Sequence, residues 1–175
     1  MTKKLCFLAT GAVISFLAVL GTSSAQDVGG GDGQHLNGSY TVTVFVDPPA
    51  GSPPGTPKIG PFTGLVTYHR DGTVIANEIL NFAGTPLATA DLTEDHGGWE
   101  RVRNRTFHVS FIKLASIGGT FVAFIKNRAT VELAPGGNEF SGRFRLDVIA
   151  PDGSIVLSGD GDISGIKIPV EGYPE

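Results

Sequence analysis

Apolar and polar residues alternate one by one through the second half of the chain, in four runs separated by turns rich in Gly and Pro. Successive side chains of a β-strand point to opposite faces, so this alternation indicates strands with one buried and one exposed face. The turns are short enough to join neighbouring strands into antiparallel pairs. We therefore predict a meander of strands over residues 106–116, 120–134, 139–149 and 154–167.

The first half of the chain adds four more strands. Asp71-Gly72 is a strong two-residue turn signal and predicts a hairpin between two of them. Eight antiparallel strands with mostly short connections can close into a barrel, which removes exposed sheet edges. The expected fold class is all-β, an eight-stranded antiparallel up-and-down β-barrel, with an open sandwich as the alternative. The additional strands are expected over residues 38–46, 62–69, 73–80 and 99–102.

The N-terminus has the pattern of a cleavable signal peptide over residues 1–25. Lys3 and Lys4 precede an apolar run, and a Ser-Ser-Ala sequence supplies small residues at the cleavage site. The apolar run is shorter than the roughly 20 residues that a bilayer crossing needs. We therefore expect a secreted or periplasmic protein with no membrane span after cleavage. A flexible Gly-rich leader is expected over residues 26–37, and a single barrel domain over residues 38–175.

The mature chain is expected to be acidic and free of cysteine. Loss of Lys3 and Lys4 from the 13 basic residues leaves 11 against 17 acidic ones, a net charge near −6. Such a charge disfavours nucleic acids and anionic lipid surfaces as partners. The single cysteine, Cys6, lies in the signal peptide, so no thiol remains for a disulfide, a metal site or catalysis.

The predicted barrel interior combines large apolar side chains with many small ones. The small residues either leave room for an apolar ligand or accommodate rings from neighbouring strands, and the sequence does not choose between these readings. The expected interior contains Phe107, Phe111, Phe121, Phe140, Phe144, Ile155 and Leu157, together with Gly64, Ala123, Ala129, Gly142, Gly159 and Gly161.

Two amides, Asn77 and Asn127, are expected on the same interior face, where an amide without hydrogen bonds costs stability. They either orient the polar group of a ligand or are satisfied by internal hydrogen bonds or a buried water. A three-residue loop before Thr106 would place Trp99 and Arg101 on the interior face as well, near a barrel mouth. The candidate ligand-binding residues are Tyr68, Asn77, Trp99, Arg101 and Asn127.

No catalytic or metal-binding pattern is recognisable. An interior pair of carboxylates is not expected, because Asp91, Glu94 and Asp95 fall in the unpatterned loop of residues 81–98. The four histidines show no metal-ligand spacing, and there is no nucleophile-elbow motif. We therefore predict no catalytic residues, no metal and no cofactor. A loop of this length commonly has a role of its own, such as covering a site.

The outer face is expected to carry charge pairs and one apolar patch. Lys126 should lie opposite Asp147 and Arg143 opposite Asp160. A contiguous apolar patch on an outer face usually marks a partner surface. We expect it to be covered by another copy of the chain, forming a homo-oligomer, or by the loop of residues 81–98. The patch consists of Ile112, Leu114, Val122, Phe124 and Ile149.

Several short motifs carry a resemblance to known barrels. Gly38-Ser39-Tyr40 is similar to the Gly-x-Trp start of lipocalins, with Tyr in place of Trp. A second set resembles a group of exported, mostly bacterial proteins of unknown function, regarded as calycin-like barrels akin to lipocalins and to allene oxide cyclase. This set comprises His96-Gly97-Gly98-Trp99-x-Arg101, Thr106-Phe107, Phe111, Gly142-x-Phe144-Arg145, Pro151-Asp152-Gly153 and Gly165-x-x-Ile168. The resemblance implies a barrel over nearly the whole mature chain and brings no established activity.

Three functions are compatible with these expectations. The leading hypothesis is a non-enzymatic exported barrel that binds a small apolar ligand in its interior. The second is a cyclase or isomerase of the allene oxide cyclase type, which would act mainly by shaping a reactive substrate. The third is a structural or envelope-interaction protein without a ligand.

Overall fold

The computed structural model of the protein describes residues 35–78, 85 and 87–170, so the predicted signal peptide lies outside the described residues. Within these ranges no helix is long and apolar enough to cross a membrane. The strands are β1 (Gly38–Val46), β2 (Ile59–Tyr68), β3 (Thr73–Glu78), β4 (Asp91–Leu92), β5 (Asp95–Arg103), β6 (Thr106–Ile117), β7 (Thr120–Leu133), β8 (Glu139–Ile149) and β9 (Ile155–Lys167).

Eight of these strands close into an antiparallel barrel. The hydrogen-bonded order β6-β5-β3-β2-β1-β9-β8-β7 is completed by the pairing of β6 with β7. The short β4 is an addition to β6, where Asp91 pairs with Ser116 and Leu92 with Ala115. The predicted eight-stranded up-and-down barrel is therefore confirmed, and the open sandwich is not what the chain forms.

The barrel has two unlike ends. The end that we call the closed end carries the tight turns at residues 69–72, 103–105 and 134–138, together with residues 35–37, which precede β1, and residues 168–170, which follow β9. The opposite end, here called the loop end, carries the turns at 117–120 and 150–154 and the longer β1–β2 and β3–β5 connections.

Aromatic rings fill the closed end. Tyr40 contacts Tyr68 and Phe140 edge-on, with ring centroids 5.7 and 5.2 Å apart, and its hydroxyl donates a hydrogen bond to the carbonyl of Gly137 at 3.1 Å. Leu36, in the stretch expected to be a flexible leader, is fully buried as part of the same core. Apolar packing and edge-to-face ring contacts therefore seal this end.

Two interior glycines accommodate rings. A Cβ atom on Gly165 would lie 2.3 Å from the ring of Phe140, and one on Gly161 would lie 2.5 Å from the ring of Phe144. Both distances are far below van der Waals contact, so the rings occupy the space that side chains would need. Of the two readings of the small interior residues, ring accommodation holds at these positions.

The predicted inward orientation of Asn77 is wrong. Tyr68 pairs with Val74, whereas a two-residue Asp71-Gly72 turn would pair it with Ile75. The loop therefore spans residues 70–72 and is one residue longer than predicted. Gly72 takes a positive φ of 89° there, as a longer hairpin loop requires. A shift of one residue moves every side chain of a strand to the other face. Val74 and Ala76 consequently face the interior, and Asn77 is exposed.

Phe121 was expected in the interior and instead lies on the outer face. Ile117 pairs with Thr120 across Gly118-Gly119, whose positive φ values form a two-residue turn. A β-bulge follows, and Phe121 pairs with Ser116. Ser116 follows the buried Ala115 and points outward, so its partner points outward as well.

Ile155 is likewise turned outward. The β8–β9 turn is longer than predicted and is followed by a bulge, so Ile149 pairs with Ile155 and Val148 with Leu157. The same shift places Arg143 opposite Asp162, which makes the predicted Arg143–Asp160 pair wrong. Leu157 keeps its inward parity but remains 41% exposed near the loop end.

An ion-pair network ties the β1–β2 connection to the outer face. Asp47 contacts Lys58 at 2.9 Å and also pairs with Arg143, while Asp162 pairs with both Arg143, at 2.7 Å, and Lys58. Hydrogen bonds from Arg143 and then Lys58 lower the pKa of Asp47 from 3.8 to about 2. The network is exposed, so its individual pairs contribute modestly to stability.

Replacing Arg143 with glutamine should return the pKa of Asp47 towards 3.8, because the strongest cause of its depression is removed while Lys58 remains. A depressed carboxyl pKa stabilises the folded state above pH 3.8, and this contribution is lost as the pH falls through about 2. Titration of the Asp47 carboxyl carbon by NMR measures the change. Arg103→Gln, at the closed end, is the control and should leave this pKa unaltered. A pKa that stays near 2 in Arg143→Gln would contradict the network.

Candidate functional site

The five candidate residues do not form one site. Tyr68, Trp99 and Arg101 lie towards the closed end, Asn127 lies inside the barrel, and Asn77 is on the outer face. Trp99 and Arg101 pair with Val109 and Phe107, so their predicted position on the Phe107 face is confirmed. The turn between β5 and β6 has two residues rather than the three predicted. A β-bulge between Arg101 and Arg103 nevertheless keeps Trp99 and Arg101 on the Phe107 face.

The closed-end candidates contact neighbouring parts of the chain. Trp99 donates from Nε1 to the carbonyl of His69 at 2.9 Å, and its ring lies 5.6 Å from that of Phe107. The guanidinium of Arg101 lies 5.4 Å from the centroid of the same ring and 3.2 Å from Nδ1 of His35. Arg101 thus links His35 to the barrel, and Trp99 links β5 to the β2–β3 turn, so we assign these side chains to sealing the closed end.

A buried ion pair lies inside the loop half of the barrel. Asp95 is 0% and Lys113 3% exposed, and Nζ of Lys113 lies 2.7 Å from Oδ2 of Asp95. The ammonium of Lys113 therefore contacts Oδ2 directly, whereas Oδ1 has no hydrogen-bond donor within the described part of the chain. Burial raises the pKa of Asp95, although the charge of Lys113 opposes the rise. Two ions taken out of water need such partners, since the desolvation cost is large.

Asn127 completes this group. Its side chain is buried, and Nδ2 has no hydrogen-bond acceptor among the residues that the structure describes. Asn127 pairs with Phe111 and Lys113 pairs with Ile125, which makes Asn127 and Lys113 diagonal neighbours on one interior face. We call Asp95, Lys113 and Asn127 the interior polar group.

Small and apolar side chains surround the interior polar group. Ala76 pairs with Asp95, and Ala115 pairs with Ala123 one step nearer the loop end; all three alanines are buried. In the described part of the connection that precedes β5, Leu87 is buried and Leu92 packs partly buried against the core, where it pairs with Ala115. The polar atoms therefore lie in a low-dielectric environment, where unmet hydrogen bonds are costly.

Sequence reasoning missed Asp95 and Lys113. Lys113 has the same parity as Phe107 and Phe111, so alternation alone could have placed it inside. Asp95 was assigned to the loop, and that assignment is wrong because it begins β5. The following Gly97 hides the strand pattern: a Cβ there would lie 2.0 Å from the carbonyl oxygen of Ser110, so a close backbone approach requires glycine.

Within the described ranges, an open groove at the barrel surface offers no comparable buried polar group. An open polar groove at the β5–β6 turn is lined by Arg103, Asn104, Arg105, Thr106 and Glu132, and two of these, Arg105 and Glu132, already pair at 3.4 Å. The described residues contain no group of three or more His, Cys, Asp or Glu side chains that could hold a metal ion. The interior polar group is therefore the best-supported candidate site.

Comparison of the chain with protein-family models, with curated proteins and with solved structures finds no match. The antiparallel eight-stranded barrel that the calycin resemblance implied is present. Beyond that fold, the resemblance rests on the motif residues alone.

Four of the five predicted patch residues share the outer face, whereas Val122 lies in the β-bulge between Phe121 and Ala123 and packs partly buried against the core. Leu114 pairs with Phe124, which in turn pairs with Ile149, and Ile112 and Leu114 are 39% and 42% exposed. The ring of Phe121 joins the patch, 4.7 Å from that of Phe124. Self-association through these residues stays a prediction, which sedimentation of a Phe124→Asp variant would check.

Proposed function

We propose that this protein is an exported barrel that binds a small, largely apolar ligand inside its loop half. The observation that carries the proposal is the buried side-chain Nδ2 of Asn127, which has no acceptor among the residues that the structure describes. Buried polar groups in proteins are nearly always hydrogen-bonded, so an exception suggests a role for a bound molecule. Ligand sites commonly combine apolar walls with a few convergent polar groups.

The loop half fits such a ligand better than the closed half. Rings of Phe140 and Phe144 fill the spaces over Gly165 and Gly161. The loop half instead has the small buried side chains of Ala115 and Ala123, and Leu87 and Leu92 of the described β3–β5 connection pack against the core. An apolar molecule bound there would be screened from water on most sides.

One observation favours the cyclase or isomerase alternative. The pKa of Asp95 is raised by burial, and a carboxyl poised in this way beside an amine is a group that acid–base chemistry uses. Mass spectrometry of compounds added to and recovered from the protein distinguishes the functions. A binding protein returns its ligand unchanged, whereas an isomerase returns a rearranged product.

The binding proposal predicts that filling the loop half prevents ligand uptake. In a titration with the apolar dye N-phenyl-1-naphthylamine, Ala123→Phe should weaken dye binding by at least about tenfold, because the ring takes the ligand's volume. Ala50→Phe adds the same ring to the exposed β1–β2 connection and is the matched control. Circular dichroism checks that both variants keep the barrel.

Two results would contradict the proposal. The first is a wild-type protein that neither releases a small molecule on solvent extraction nor binds the dye. The second is undiminished dye binding by a folded Ala123→Phe variant. If that variant does not fold, Ala123→Val makes a smaller change and must still weaken binding.

A further inference from the structure

The interior polar group contains hydrogen-bonding atoms that lack partners, and these atoms indicate what the polar end of a ligand must offer. Among the described residues, Nδ2 of Asn127 is a donor without an acceptor, and Oδ1 of Asp95 is an acceptor without a donor. Oδ2 of Asp95 is already in contact with the ammonium of Lys113. Lys113 lies between them, as the ion-pair partner of Asp95 and the diagonal neighbour of Asn127. A ligand that completes the group must both accept and donate hydrogen bonds.

The charges of the interior polar group limit which ligand groups can bind there. Asp95 and Lys113 already neutralise each other, so a charged ligand group would leave a net charge in the buried site. A carboxylate would add a second anion and could not donate to Asp95. An ammonium group would face Lys113 and could not accept from Asn127. A ketone would satisfy Asn127 alone, and a hydrocarbon would satisfy neither.

We propose that the ligand is an apolar alcohol, bound with one hydroxyl or an adjacent pair of hydroxyls at the interior polar group. This inference rests on the proposed binding function and adds the chemical class of the ligand. The hydroxyl oxygen accepts from Asn127 Nδ2, and a hydroxyl hydrogen is donated to the carboxylate of Asp95. The hydrocarbon part lies against Ala115 and Ala123 towards the loop end.

Probes of equal chain length test this inference: 1-octanol, octanoate, octylamine and octane, each displacing N-phenyl-1-naphthylamine at pH 8. The wild-type protein should bind octanol about tenfold or more tightly than octanoate or octylamine, because only octanol meets both needs without charge. Asn127→Leu should weaken octanol about tenfold and leave octane within a factor of about two.

Asn77→Leu is the matched control, since it changes the same residue type on a neighbouring part of the barrel but on the outer face. It should leave the binding of all probes unchanged. If Asn127→Leu fails to fold, Asn127→Ala removes the same amide with less added apolar volume and carries the same expectation.

The outcomes distinguish a failure of the proposed binding function from a failure of the proposed ligand class. If neither the dye nor any octyl probe binds, the proposed binding function is wrong. If the probes bind but octanoate or octylamine is preferred, the ligand class is wrong and the binding function stands. If octanol binds equally well to wild type and to a folded Asn127→Leu variant, the group is satisfied by internal water only, and the inference is overturned.

Discussion

Replacing Lys113 with methionine is expected to lower the free energy of unfolding by about 3–5 kcal/mol, the range for removing one partner of a buried ion pair. Lys113 and Asp95 are almost completely inaccessible to solvent, and within the described residues the ammonium of Lys113 is the cation that contacts the Asp95 carboxylate, at 2.7 Å from Oδ2. Without the ammonium group, the carboxylate would be a buried charge with no counter-ion. Urea denaturation followed by circular dichroism measures the loss.

The loss should depend on pH in a defined direction. Burial raises the pKa of Asp95 above 3.8 in the folded protein, against the opposing charges of Lys113 and then His96. The folded state therefore holds the Asp95 proton more tightly than the unfolded state does. The charged carboxylate costs stability at higher pH, and this cost disappears as the pH falls below 3.8. The difference in free energy of unfolding between wild type and Lys113→Met should therefore shrink as the pH is lowered.

Two further variants test whether the loss of stability in Lys113→Met comes from an unpaired buried charge. The double variant Asp95→Leu with Lys113→Met removes both charges, and it should recover most of the lost stability, because apolar replacement of a buried pair is often neutral or favourable. Arg105→Met breaks the Arg105–Glu132 pair, where Glu132 is 65% exposed, and should change stability by less than about 1 kcal/mol. Equal effects of Lys113→Met and Arg105→Met would show that the Asp95–Lys113 pair is not buried in solution.

The barrel could be predicted from the sequence because alternation survives wherever the strands are long and half-buried. On β7 and β8 even the register is right: Phe124 lies opposite Ile149 and Lys126 opposite Asp147. Alternation fixes which residues share a face, and an apolar face can be buried in only one way. The turns are less constrained, and errors arose where their lengths differed from expectation.

Each error in the interior follows from one residue in a turn or bulge. A longer β2–β3 loop turned Asn77 outward, and bulges near the loop end turned Phe121 and Ile155 outward. A Gly-containing sequence can form turns of several lengths, because glycine allows several φ/ψ combinations. The residues of a turn therefore do not fix its length. The candidate site depended on these details. Asn127 was placed correctly inside because its strand has a regular alternating pattern, whereas Asp95 begins a strand that glycines obscure.

Replacing Gly161 with alanine is expected to lower the free energy of unfolding by about 3 kcal/mol, the upper part of the range for overpacking a core. The added Cβ would lie 2.1 Å from the carbonyl oxygen of Phe45 and 2.5 Å from the ring of Phe144. The ring could rotate away, but the carbonyl belongs to β1, which pairs with β9 at this point. Relief therefore requires the two strands to separate locally.

Gly159→Ala is the matched control, two positions earlier on the same strand and with the same parity. Its Cβ would meet only Cγ1 of Val46, at an ordinary 3.5 Å. Stability should therefore change by less than about 0.5 kcal/mol, or increase slightly, since glycine is entropically unfavourable in a strand. Thermal and urea denaturation of both variants measure the difference. Equal stabilities would mean that β1 and β9 do not approach as closely as described. The space over Gly161 would then be open to a ligand, and the site would not be confined to the loop half.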